Sequence, residues 1–227
     1  MSEKPILMNA EMVNAVLDGR KTQTRRIIDW KRLHKQAGLP FPTKCKLAWY
    51  RILDSWGLGT EDNYIGEVKC PYGKKGDQLW VREAWSGIHA FRDIKPSERQ
   101  SYIGDGTPYQ KEEVWYWADG DTKFGDWESP RPSIHMPRWA SRINLEIVDI
   151  RVERVQDISE EDAKAEGVIE EVGAHGPIYK APNLPNGCSY GSAKQAFKTL
   201  WDSINKKRGV GWDEPRWVWV VEFKEIK

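Results

Sequence analysis

Apolar positions recur at two different periods along the chain, and the alternation between them lays out the elements. Pro5-Ile-Leu-Met8 reads as a short opening strand. Asn9 is placed to cap a helix with Glu11 in its positive first turn, and Met12, Val13, Val16 and Leu17 then repeat at helical spacing. Gly19 stops that helix, because only glycine enters the left-handed conformation without a Cβ penalty. Thr22 to Ile28 follows as a strand, favoured by its β-branched residues. From about 29 to 67 no period is sustained: Trp30, Trp49, Tyr50 and Trp56 are scattered among Lys, Gly and Pro, as in an insertion that wraps the core. Leu79 to Trp85 alternates again, with Leu79, Val81 and Glu83 on one face. A carboxylate in that register must be paired or line a pocket, unless the strand ends there and Glu83 reaches solvent. A second insertion, about 87–132, surrounds one strand from Glu113 to Ala118.

The loop from Pro132 to Arg142 holds two prolines and carries His135, Arg138, Trp139 and Arg142. Cations and aromatics on irregular backbone suit ligand contact better than core packing. Ile143 to Val155 is a long strand whose apolar parity switches near Val148-Asp149, which predicts a bulge. Ser159 to Gly167 is a short helix, capped by Ser159 with Asp162 at the reciprocal position and stopped by Gly167. Glu166 falls at its negative end, where a carboxylate is disfavoured. Residues 168–191, rich in Gly and Pro, read as a loop. Ser192 and Gln195 form a second capping box, and Phe197, Leu200, Trp201 and Ile204 mark one face of the helix that follows. Arg216 to Phe223 alternates as a closing strand, with Trp217, Trp219, Val221 and Phe223 on one side. Strands outnumber short helices and show no βαβ rhythm. The pattern therefore predicts one α+β domain over 1–227, built on a small curved sheet or β-barrel with flanking short helices and two large insertions.

Charge narrows the functional classes. Lys+Arg 35 against Asp+Glu 34 leaves a net charge of +1, so no global basic field draws in nucleic acid and any basic surface is local. No apolar run approaches membrane-spanning length and the first residues lack a signal-peptide pattern, which points to a cytoplasmic protein with no membrane partner. Cys45, Cys70 and Cys188 are odd in number and widely spaced, as expected in a reducing compartment, and no close Cys or His pair predicts a metal. No cofactor is expected. The 13 tryptophans outnumber the 8 tyrosines and the 5 phenylalanines; they fill a β-rich core or stack on bases. One stretch breaks the charge balance. Asp18-Gly-Arg-Lys-Thr-Gln-Thr-Arg-Arg26 sets Arg20, Lys21, Arg25 and Arg26 at a helix-to-strand corner, a good place to meet an anion.

That corner resembles the signature of the ASCH domain, a branch of the PUA-like barrels associated with RNA, with the pattern G-x-K-x-x-E-x-R. Gly19, Lys21 and Arg26 fit, and Thr24 stands at the Glu position. The departure is similar to one branch, the small bacterial N4-acetylcytidine amidohydrolases, whose corner reads G-R-K-T-x-T. There a Lys, a Thr and a Glu carry the reaction. The resemblance assigns these roles to Lys21, Thr24 and, through the helix Ser159 to Glu166, Glu166. Gly76-Asp-Gln-Leu-Trp-Val-Arg-Glu, His135-Met-Pro-Arg-Trp-Ala-Ser-Arg-Ile and the Trp217-Val-Trp ending resemble longer ASCH-type proteins of phages and prophages.

The implied activity is deacylation of N4-acetylcytidine or a related modified pyrimidine. Thr24 is the nucleophile, or positions an activated water. Lys21 is the base if neighbouring cations depress its pKa, and Glu166 carries the proton to the leaving nitrogen. Arg26 or Arg138 would hold the substrate, Trp85 or Trp139 would stack on the base, and Glu83 would line the pocket. Because residues 21 and 24 have opposite strand parity, Lys21 must sit in the turn after Gly19. Two alternatives stay open: a non-catalytic module binding RNA or a modified nucleotide through this corner and exposed indoles, and a metal-free ribonuclease.

Overall fold

The computed structural model describes residues 2–29, 48–52, 55–59, 64–99, 114–122, 125–182, 188–214 and 216–226. Trp30 and Cys45 lie outside them. In chain order the elements are β1 (Glu3–Leu7), α1 (Ala10–Leu17), β2 (Gln23–Ile27), β3 (Ala48–Ile52), β4 (Ser55–Gly59), β5 (Tyr64–Val68), β6 (Gln78–Arg82), β7 (Trp85–Gly87) and β8 (Val114–Tyr116). The chain continues with β9 (Asn144–Arg154), α2 (Glu160–Ala165), β10 (Ile169–Gly173), β11 (Gly176–Lys180), α3 (Ala193–Asn205) and β12 (Trp217–Ile226). No helix among the described residues is long and apolar enough to cross a membrane.

The central sheet has the order β1-β6-β9-β12-β2, with β1 and β6 parallel and the other neighbours antiparallel. It separates two apolar cores, and β12 serves both. Trp219, Val221 and Phe223 face the core shared with α1, β6 and β9, while Val218 and Val220 face the core built on α2 and α3. All five are 3% exposed or less, and each such aliphatic or aromatic burial contributes about 1.5–3 kcal/mol. The long strand β9 bends where expected: Glu222 pairs with Asp149 but Phe223 with Ile147, so Val148 is the extra residue of a bulge.

Four expectations are corrected. The barrel is an open sheet among the described residues, with β1 and β2 as its edges; Pro5 suits an edge because it has no N–H to give a ladder. One side-chain bond ties those edges, as Arg26 Nη2 donates to the Leu7 carbonyl at 2.6 Å. The strand from Leu79 to Trp85 is broken at Glu83: β6 stays in the central sheet, and β7 leaves it to pair with β8. The loop at 168–191 contains the β10–β11 hairpin, hidden from the hydrophobic pattern because its side chains are mostly solvated and Val172 is 99% exposed. The stretch expected to wrap the core, about 29–67, instead supplies a three-stranded sheet, β3-β4-β5, and packs against the core, where its Trp56 meets Trp219 edge to face. None of the tryptophans whose side chains are described is exposed.

Candidate active site

The corner is shaped by two helix ends. Asn9 accepts a hydrogen bond from the Met12 N–H and starts α1; Gly19, at φ 71°, ends it. The next residues run across the end of α2 before any strand begins. Lys21 N–H donates to the Ala15 carbonyl at 2.8 Å and Thr22 N–H to Ala165 at 2.9 Å. Lys21 and Glu166 form an isolated antiparallel bridge, and β2 starts only at Gln23. Lys21 therefore occupies the turn, and strand parity does not separate it from Thr24. Helix α2 is set up in the same way: Ser159 accepts from the Asp162 N–H, and Gly167 closes the helix at φ 103°. A Cβ at Gly167 would meet Ala15 at 3.2 Å, so glycine lets the end of α2 lie against α1.

Lys21 is 2% exposed and Glu166 is 4% exposed. Lys21 Nζ donates to Glu166 Oε2 at 2.6 Å and to the Glu166 carbonyl at 2.9 Å. The second bond places the amine on the negative end of α2. Burial is the main force lowering the Lys21 pKa below its ordinary 10.5; Glu166 opposes it, and Arg26 and Arg25 reinforce it. Arg20 takes no part in this: it pairs with Asp18 at 2.7 Å and donates to the Gly167 carbonyl.

Arg25 is the residue that sequence reasoning undervalued. Its guanidinium reaches Asp162 Oδ2 at 2.7 Å, Glu153 Oε2 at 3.1 Å and Glu166 Oε1 at 3.4 Å. Glu166 is thus held from both sides, by Lys21 on one oxygen and Arg25 on the other. Asp162 is shared with Arg151 Nη2 at 2.7 Å, and Arg151 also binds Glu153 and Glu222.

These groups border a cavity of about 210 Å³. Thr24, Arg25, Arg26 and Glu166 supply its polar lining. Phe197, Leu200, Trp201 and Ile204 of α3 supply an apolar wall, together with Met12 and Tyr72. Ile27, Asn205 and Arg208 complete it. Ile204, expected on the docked face of α3, is 38% exposed at this cavity, and Asn205 is buried in its place. The spacing of residues 197, 201 and 205 is the signal that could have marked the asparagine: an amide one turn beyond two core aromatics. Lys21 is absent from the lining and adjoins the cavity through Glu166.

The other sequence-derived candidates are elsewhere. Glu83 is 1% exposed and takes a two-pronged bond from Arg142, at 2.9 and 3.0 Å. Burial raises its pKa, against the pull of Arg142. Arg142 also grips Asp119 and lies 4.0 Å over the Tyr116 ring. Trp85 is fully buried in a small core with Val114, Tyr116, Met136 and Ala140, edge-on to Trp139, so neither ring face is open to a base. Trp139 donates to the Pro96 carbonyl, and Arg138 bonds Glu3 and Asn144. The structure brings Lys21, Thr24, Glu166 and Arg26 together and leaves Glu83, Trp85, Arg138 and Trp139 outside this cavity. Among the described residues no cluster of His, Cys, Asp or Glu is arranged to hold a metal ion.

No family model matches the chain, and no curated protein matches it. Among solved structures it is similar to the high-resolution crystal structure of an ASCH domain from Lactobacillus crispatus JV V101, with 13% identity and a TM-score of 0.36 over 99% of this chain and 79% of that one.

Proposed function

We propose that the protein is an ASCH-type amidohydrolase that removes an acyl group from N4-acetylcytidine or a related modified pyrimidine. The observation that carries this reading is the buried Lys21–Glu166 pair at 2.6 Å, set behind a cavity onto which Glu166 and Thr24 both open. An exocyclic amide needs a nucleophile, a base to take its proton and an acid for the leaving nitrogen. Thr24 supplies the hydroxyl. Its proton passes to Glu166 and from there to the neutral amine of Lys21, while the Thr24 oxygen bonds to the acyl carbon. The carbon–nitrogen bond then breaks, and the proton returns through Glu166 to the N4 nitrogen. Water, activated by the same pair, cleaves the acyl-threonine and releases the carboxylate. The lowered Lys21 pKa suits this role, since a lysine can act as a base only when neutral. Phe197 and Trp201 offer the ring an apolar wall, and Arg25, beside Glu166 in the lining, is the cation available to the carbonyl oxygen as it gains charge.

The test is absorbance-monitored conversion of N4-acetylcytidine to cytidine by wild type and by Lys21→Ala. The expected result is turnover by wild type alone, with an acetyl adduct on Thr24 by mass spectrometry when the reaction is quenched. Saturable binding without turnover would replace this reading with that of a binding module. Turnover without the adduct would assign the attack to water.

A further inference from the structure

The charges around the cavity do not balance. Arg25 is matched by Glu166, Asp162 and Glu153, and Lys21 by Glu166. Arg26 and Arg208, which line the same cavity, have no carboxylate partner among the described residues. Among the described residues the Arg26 side chain makes one hydrogen bond, to the Leu7 carbonyl, and its Nε–H is buried without an acceptor. The Nε–H of Arg25, a residue 5% exposed, is also buried without an acceptor. A buried donor left unpaired costs about 1–3 kcal/mol, and both of these belong to residues that line the one cavity. Arg208 stands on the exposed turn Lys206–Arg208 and brings a further fixed charge to the lining. Arg26 and Arg208 are thus two cations of the lining without a carboxylate partner among the described residues, and a phosphate monoester at neutral pH carries about −1.5 to −2.

We infer that the ligand of this cavity is a phosphorylated pyrimidine nucleotide rather than the free nucleoside, with its phosphate received by Arg26 and Arg208. This rests on reading the cavity as a pyrimidine site. The apolar wall from α3 takes the ring, and the unpaired arginines take the anion. Arg138, the other cation expected to hold substrate, is committed to Glu3 at 2.5 Å. A phosphate could come from a mononucleotide or from within a chain, and the two are separated by the choice of ligand.

The experiment is calorimetric binding of cytidine, cytidine 5′-monophosphate, cytidine 3′-monophosphate and a cytidine-containing dinucleotide to wild type, Arg208→Gln and Lys207→Gln. Arg208 is exposed, so its substitution leaves the fold in place. Wild type should bind a phosphorylated form about 10- to 100-fold more tightly than cytidine, as charge-assisted bonds to one anion would give. That ratio should collapse towards one in Arg208→Gln and persist in Lys207→Gln, whose residue is outside the lining. Preference for a monophosphate assigns a terminal phosphate, and preference for the dinucleotide alone assigns the chain's own diester. Equal binding of cytidine and all phosphorylated forms would overturn the inference, as would equal effects of Arg208→Gln and Lys207→Gln. Binding is read without turnover, so a failure of deacylation leaves this result standing.

Discussion

Replacing Lys21 with methionine removes the charge from a group 2% exposed while keeping most of its volume. Glu166, at 4%, then keeps, among the described residues, only Arg25 at 3.4 Å as an ion-pair partner. Breaking a buried ion pair from one side costs about 3–5 kcal/mol, because the remaining charge is stranded away from water. The residual Arg25 contact places Lys21→Met near the lower end, about 3 kcal/mol, which for a chain of this size lowers Tm by about 6–12 °C. Glu166→Gln in the same chain removes the stranded charge. The double variant should therefore be more stable than the sum of the single effects, by at least about 1 kcal/mol of coupling. Thermal unfolding followed by circular dichroism measures all three variants. A Lys21→Met protein within about 0.5 kcal/mol of wild type, or a strictly additive double variant, would refute the claim that the pair is desolvated and mutually dependent.

Other outcomes follow from the same charges. The Lys21 pKa lies below 10.5 because burial first, then Arg26 and Arg25, disfavour the ammonium against the pull of Glu166. Deacylation by the neutral amine should rise with pH to a plateau with its midpoint below 10.5; a midpoint at or above that value removes Lys21 as the base. The same shift has a stability sign. The cost of the buried charge is present below the folded pKa and disappears as pH rises from there to 10.5, so wild type should gain stability relative to Lys21→Met across that window. Away from this site, Glu128 is raised by burial but pulled down more strongly by Arg99 and Arg131, to about 2. Its contribution should be whole above 4.5 and lost as pH falls through about 2. The stability gap between wild type and Glu128→Gln should narrow over that range, and a gap independent of pH would contradict the assignment.

Much of the fold was legible in local pattern. The capping residues Asn9, Ser159 and Ser192 all hold the N–H three positions on, and the parity switch at Val148 marks the observed bulge. These features depend on neighbours in sequence. The hairpin β10–β11 was not legible, since alternation is a sign of one buried face and a largely solvated hairpin has none, and β3 to β5 fall in a stretch whose sequence sustains no period. The site shows the same division. Lys21, Thr24 and Glu166 stand in two short motifs, but the carboxylates that clamp Arg25 come from β9, α2 and the end of α2, up to 141 residues away. Trp85 and Trp139 failed as stacking candidates for a related reason: residue type does not say which indoles a small side core will absorb.

The charges at the site also hold it together. Helix α2 has six residues, too few to stand alone in water, and only Ala163 of them is buried. It is fastened by the Ser159 cap at one end, by Lys21 on the Glu166 carbonyl at the other, and by Arg25 and Arg151 on Asp162 along its side. The amine proposed as the base is thus also a tether for the helix that carries Glu166. Lys21→Ala removes both functions, so loss of turnover in that variant separates base from tether only beside a measured Tm. Glu166→Gln separates them better. Its carbonyl still accepts from Lys21 and its side-chain amide keeps an oxygen for Arg25, while the carboxylate proposed to move the proton is gone. A Glu166→Gln protein that stays folded, retains the nucleotide and turns over nothing would assign the proton transfer to Glu166 itself; retained turnover would leave it only the structural part.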